Sequence, residues 1–214
     1  MDTCGCEGFT EIFDQRTARH DLDRYRRDGP DRTTRMLIDM IRAAGVADGT
    51  LLDIGAGIGV IDHELLRDGV RRAVLVDGSS AYQVAARDEA TARGTLDRVA
   101  FVEGDFVRVA DQVERADVVT LDRVVCCYPD VDGLVRASSR KADRLYGLVL
   151  PRDRGFIRVG LGLVNAWFRL RGRAYRAFVH PIARVDALAA EAGLRPTAEA
   201  TTMFWRVVLY ARAA

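Results

Sequence analysis

The residues best spaced for chemistry are Leu51-Leu52-Asp53-Ile54-Gly55-Ala56-Gly57-Ile58-Gly59-Val60, an apolar run that ends in an acid and enters a glycine-rich turn. Glycines permit the sharp backbone turn and let a ligand approach with no Cβ in the way. A dinucleotide turn of the form G-x-G-x-x-G would place its third glycine at position 60, with pyrophosphate resting on the helix N-terminus. Here that position is Val60 and the pattern is G-x-G-x-G. Asp53 beside the turn would repel pyrophosphate, but it suits a ligand that carries an ammonium and a sulfonium. A nicotinamide-dependent oxidoreductase is therefore the weaker reading. A non-catalytic protein on the same scaffold would be expected to have lost Asp53, Asp77 or the glycines, and all are present.

Two more acids stand where apolar runs end. Ala73-Val74-Leu75-Val76-Asp77 leads into Gly78, and in a nucleotide-binding α/β sheet such an acid accepts the ribose hydroxyls. Each charged hydrogen bond of this kind contributes about 1.5 to 3 kcal/mol. Gly104-Asp105-Phe106 follows the next run, with a carboxylate for an adenine amino group and a ring to cover one base face. Further on, Thr120-Leu121-Asp122-Arg123-Val124-Val125-Cys126-Cys127-Tyr128-Pro129 occupies the place, outside a strand's carboxyl end, where such sheets meet their second ligand. Asp122, Cys127 and Tyr128 are thus candidates for contact with an acceptor. Of the three histidines, His180 is the best placed as a base, immediately before the helix start at Pro181; His20 and His63 lie among charges and read as solvated. The cysteine pairs Cys4 with Cys6 and Cys126 with Cys127 are spaced more tightly than the C-x2-C of structural zinc, so thiols without metal are expected.

These residues need a scaffold, and the pattern of apolar runs supplies one. Strands are expected at 50 to 54, 72 to 76, 98 to 102, 116 to 121 and 144 to 150, with helices at 59 to 68, 79 to 93 and 131 to 140. Short apolar strands alternating with helices give a mostly parallel α/β sheet of Rossmann-like type, covered on both faces. Helices at 8 to 28 and from Asp31 to Gly45 form an N-terminal helical extension over residues 1 to 46, ahead of a core at 47 to 150. A helix from Pro181 to Ala192 and two strands at 195 to 201 and 203 to 211 close the chain as an antiparallel edge hairpin, for seven strands in one domain.

Residues 151 to 180 interrupt the alternation and read as a lid-like insertion. They hold seven arginines against Asp153 alone, while Phe156, Ile157, Leu163, Val164, Trp167 and Phe168 recur at helical spacing. Such a segment suits an apolar anionic acceptor or peripheral contact with a lipid surface, and the charges of Arg154 and Arg158 are expected to act on the acceptor.

Composition sets the outer bounds. At 214 residues with 49% hydrophobic content the chain can bury one sizeable core. Its 32 basic and 31 acidic residues cancel, which leaves no global field for nucleic acid. The N-terminus is acidic and lacks the basic and apolar regions of a secretory signal, and no apolar run reaches membrane-spanning length, so cytoplasmic is the default expectation.

The three acid stations resemble the class I S-adenosylmethionine-dependent methyltransferase family over roughly residues 30 to 150. The resemblance implies S-adenosyl-L-methionine as cofactor and a small-molecule acceptor. It would set Asp53, Gly55, Gly57 and Gly59, with Ala56, around the methionine moiety, Asp77 and Gly78 at the ribose, and Asp105 with Phe106 at the adenine, with Leu121 also bordering the cofactor. A narrower similarity, to the magnesium-protoporphyrin O-methyltransferases, rests on Tyr128-Pro129, Pro151-Arg152-Asp153 and Arg173-Ala174-Tyr175-Arg176-Ala177-Phe178-Val179-His180. Those enzymes esterify a propionate on a large flat anion, and a carboxylate acceptor needs no base. Two departures stand out: Cys127 replaces the family's histidine before Tyr-Pro, and the N-terminal segment lacks the family's tryptophan pattern. Tyr25 would be the counterpart of that family's N-terminal tyrosine. A small acceptor other than a porphyrin is the expectation.

Overall fold

The computed structural model describes residues 13–213. Cys4, Cys6 and the start of the expected first helix lie outside the described residues. Helix α1 (Gln15–Asp28) and helix α2 (Arg32–Ala44) precede the first strand. Both begin at an aspartate whose carboxylate accepts orphan N–H groups, Asp14 from Thr17 N and Asp31 from Thr33 N and Thr34 N. Both end at a glycine with positive φ, Gly29 and Gly45.

The core alternates as expected: β1 (Thr50–Ile54), α3 (Val60–Arg67), β2 (Arg72–Asp77), α4 (Ser80–Ala92), β3 (Val99–Glu103), the short α5 (Phe106–Val109), β4 (Ala116–Asp122), α6 (Val131–Ser139) and β5 (Ala142–Pro151). Then come α7 (Gly155–Leu170), α8 (Ile182–Glu191), β6 (Leu194–Thr201) and β7 (Trp205–Arg212). The single turn α5 and the 3-10 turn Ala110–Gln112 were not marked by periodicity, since one turn is too short to show any.

The sheet has seven strands in the order β3-β2-β1-β4-β5-β7-β6. The first five are parallel, and β7 runs antiparallel to both β5 and β6. The order reverses beside β1, where β2 goes one way and β4 the other, so a crevice opens outside the carboxyl ends of these strands. The terminal hairpin is present, but its second strand, β7, docks on β5 and leaves β6 at the edge.

Two apolar layers sandwich the sheet. One holds Leu52, Leu121, Tyr146 and Leu188, the other Leu37, Ile41, Leu65 and Val118. A third cluster joins Ala18, Leu22 and Tyr25 of α1 to Ile58 and Tyr82, which lays the N-terminal extension over the glycine turn.

Candidate active site

The glycine turn sits at the crevice. Gly55 has φ 65° and Gly57 φ 58°, the left-handed region that a residue with Cβ enters only with strain. A Cβ on Gly55 would also collide with Val124. The turn is tied to β2 through Asp77, whose Oδ2 accepts Gly57 N at 2.8 Å and whose Oδ1 accepts Ser79 N at 2.8 Å. Burial raises the pKa of Asp77, against the pull of these two N–H groups.

Beside the turn lies a cavity of about 420 Å³. Asp53, Gly55, Ala56, Gly57, Asp77 and Gly78 line it on one side, and Tyr25, Asp122, Cys127 and Tyr128 on the other. A smaller recess of about 60 Å³ continues past Gly55, Asp77 and Gly78 to Asp105 and Phe106. Tyr128 closes the recess, its phenol donating to Asp105 at 3.0 Å, while Asp105 also caps α5 at Val107 N.

Three of the expected site residues stand away from the cavity. Leu121 is fully buried in the apolar layer. Gly59 heads α3 at φ 77°, where a Cβ would press on His63 and Leu75 at 3.2 Å, so its role is close packing. His180 places Nε2 2.9 Å from the Tyr128 carbonyl and thus braces the loop that carries Tyr128. His63 corrects the expectation of a solvated residue: it is 3% exposed, with Nε2 3.1 Å from Ile58 O. Burial, then the nearby Arg93, lowers its pKa to about 4. Its neighbours Asp62 and Glu64 are buried too, because α1 and α2 cover α3.

An acidic wall faces the cavity. Asp53 accepts Thr120 Oγ1 at 2.6 Å, and its pKa is raised by burial and then by Asp62 behind it. Asp62 is completely buried, with no hydrogen-bond partner for either oxygen among the described residues, and burial raises its pKa to about 7. Carboxylates at Asp53 and Asp77 around an open glycine backbone offer acceptors to an ammonium, a sulfonium and a pair of ribose hydroxyls. The two arginines of the cavity, Arg24 and Arg123, are paired with Asp21 and with Asp31 and Asp122, so the acids beside the turn fit S-adenosylmethionine better than a dinucleotide.

The wall opposite the glycine turn holds residues that the sequence did not single out. Arg123, at φ 62°, lines the cavity and bridges Asp122 and Asp31, with Nε 3.0 Å from Asp122 Oδ1 and Nη2 on Asp31. Thr34 Oγ1 donates to Asp122 and accepts from Arg123 Nη2. Although burial opposes its charge, Asp122 and Asp31 hold the Arg123 pKa above its ordinary value. Its Nη1 donates to none of the described residues. Phe13, Tyr175 and Trp205 add apolar wall, with the Arg123 guanidinium 5.9 Å from the Trp205 ring centre. No local pattern marks Arg123, whose partners Asp31 and Thr34 come from α2, and Arg154 and Arg158 do not line the cavity.

Three groups that resemble bases are committed elsewhere. Tyr25 donates to Glu64 Oε1 at 2.9 Å, and its pKa is raised chiefly by burial. Tyr175 lies 3.1 Å from Cys127 Sγ, with its pKa also raised chiefly by burial. The hydrogen bond with Cys126 lowers the pKa of Cys127 while that of Cys126 rises.

Residues 52–143 match the family model described as a methyltransferase domain. No curated protein sequence matches the chain. Among solved structures, the chain is similar to a magnesium protoporphyrin IX methyltransferase from Synechocystis, with TM-score 0.68, 19% identity, and cover of 94% of this chain and 100% of that one. An O-methyltransferase family protein from Burkholderia thailandensis gives TM-score 0.72 at 19% identity, over 96% of this chain and 63% of that one. A putative methyltransferase from Haloferax volcanii, in complex with its Trm112 activator, gives 0.67 at 15% identity over 96% of each chain. At these identities the likenesses establish the fold.

Proposed function

We propose that this S-adenosylmethionine-dependent methyltransferase, recognised by its methyltransferase domain and Rossmann-like fold, methylates an oxygen of a small acceptor that is mostly apolar and carries an oxyanion. The observation that supports this most is Arg123, a half-buried guanidinium whose Nη1 donates to none of the described residues, at a part of the cavity wall where Phe13, Tyr175 and Trp205 stand beside Asp31, Thr34 and Asp122. S-adenosylmethionine supplies a methyl group on a sulfonium, so the carbon–sulfur bond breaks as the carbon–oxygen bond forms and sulfur keeps the electron pair.

The residues around the cavity then have simple tasks. Asp77 receives the ribose hydroxyls, and the glycine turn with Asp53 holds the cationic end. Asp105 and Phe106 take the adenine at the far recess. Arg123 orients the acceptor oxyanion through Nη1, and Thr34, Asp31 and Asp122 fix the guanidinium. Alignment and water exclusion are the main needs of an in-line displacement. A carboxylate has no proton to lose, which agrees with a cavity that neither His63 nor His180 lines. A porphyrin propionate belongs to this acceptor class, as do smaller aromatic acids, and Cys127 at the position of that family's histidine favours the smaller ones.

The test is incubation with methyl-labelled S-adenosylmethionine and a panel of aromatic carboxylic acids, phenols, porphyrins and amines. Label on oxygen of an apolar acid or phenol supports the reading. Label confined to amines would overturn it.

A further inference from the structure

Helix α7 turns its apolar residues away from the protein. Phe156, Val159, Leu163, Trp167 and Leu170 recur every three or four residues and share one stripe. Yet Leu163 is 68% exposed and Leu170 86%, and Ile157 is the helix's one buried residue. The stripe continues onto the turn between β6 and β7. Phe204 meets Phe156 with ring centres 6.2 Å apart, and Met203 next to it is 66% exposed. Scattered exposed apolar residues are ordinary, whereas a contiguous patch from two elements marks an interaction surface.

The charge around the patch selects the partner. Arg158 is paired with Asp153 at 2.6 Å, but Arg154 and Arg169 meet no carboxylate among the described residues. Arg171 and Arg173 lie over the rings of Trp167 and Phe168, at 4.9 and 5.8 Å from their centres, which holds two cations beside the apolar stripe. A twofold contact with a second copy would set arginine against arginine. An apolar stripe edged by cations complements an interface of acyl chains and anionic headgroups.

We propose that α7 and the β6–β7 turn form a docking surface for a bilayer that contains anionic lipid. The helix lies on the membrane: no helix among the described residues is long and apolar enough to cross one. Phe168 packs against Tyr175, with centres 5.8 Å apart, and Phe204 adjoins Trp205; Tyr175 and Trp205 are walls of the cavity. An apolar acceptor dissolved in the lipid would therefore reach the site without crossing water. That last consequence rests on the acceptor reading above, and the docking does not.

The full chain is mixed with vesicles of phosphatidylcholine alone or with phosphatidylglycerol, and the bound fraction is read by flotation. Binding to the mixed vesicles is expected to exceed binding to the neutral ones and to fall as salt rises. Leu163→Asp and Trp167→Asp should abolish it. Arg154→Ala and Arg169→Ala should each lower partitioning roughly fivefold. Unchanged S-adenosylhomocysteine binding in these variants shows an intact fold and separates docking from the catalytic reading. No preference for the mixed vesicles, or a dimer in sedimentation that Leu163→Asp dissociates, would overturn the proposal.

Discussion

Replacing Asp77 with asparagine removes the charge of a single carboxylate at the cofactor site while changing its shape least. A carboxylate has about four acceptor positions, and Gly57 N and Ser79 N occupy two of those on Asp77. The other two are open to the ribose hydroxyls. Asparagine keeps the shape and one acceptor oxygen but loses the charge and turns its NH2 toward either Gly57 N or Ser79 N, which then lacks its acceptor, and charge-assisted hydrogen bonds are about twice as strong as neutral ones. The expected loss is about 1.5 to 3 kcal/mol, a ten- to hundredfold rise in the dissociation constant of S-adenosylhomocysteine. Alanine is the poorer probe, because it also strands two backbone N–H groups at a cost of about 1 to 3 kcal/mol each where they stay buried. Isothermal titration calorimetry on Asp77→Asn, with the melting temperature measured alongside, reads the effect directly. An unchanged dissociation constant in a variant that melts like the parent would refute the role given to Asp77.

Arg123→Lys keeps a charge beside Asp31 and Asp122 but removes the fork that presents Nη1, so the acceptor KM should rise about tenfold or more while S-adenosylhomocysteine affinity moves little; steady-state kinetics with a substrate from the labelled screen decides. Tyr25→Phe removes the bond to Glu64 at 2.9 Å and should cost about 1 kcal/mol of stability, with kcat within a few fold of the parent; a collapse of kcat in a folded variant would make Tyr25 catalytic. Asp62 ionises near pH 4 when unfolded but, raised to about 7 by burial, keeps its proton when folded. The folded state therefore holds the extra proton between these values, and stability falls as pH rises through that window. Asp62→Asn should gain on the parent between about pH 5 and about pH 8 in urea unfolding, and parallel stability curves would contradict it.

What the sequence showed and what it hid divide along physical lines. The strand ends and the glycine turn were legible because backbone chemistry forces them: Asp53, Asp77 and Asp105 close apolar runs, and the turn needs glycine at positive φ. Tertiary cover was not. Asp62-His63-Glu64 looks solvated by composition, but α1 and α2 lie over α3 and bury all three. Helical spacing identified the apolar stripe of α7 without telling whether it faces the protein, and it faces outward. The terminal hairpin was readable from its two runs, whereas the placement of β7 inside β6 depends on pairing with β5, which no local pattern encodes. Arg123 became visible as a site residue only through Asp31 and Thr34, which approach it from α2.

Which cofactor the glycine turn accepts decides what the rest of the cavity can do. Parallel calorimetric titrations of the parent chain with S-adenosylhomocysteine and with NAD measure that choice under one set of conditions. Micromolar binding of S-adenosylhomocysteine with no comparable heat from NAD is the predicted result, because Asp53 and Asp77 face the cavity and Val60 stands where a dinucleotide turn has glycine. NAD binding as tight or tighter would contradict the account and return the chain to the dinucleotide class.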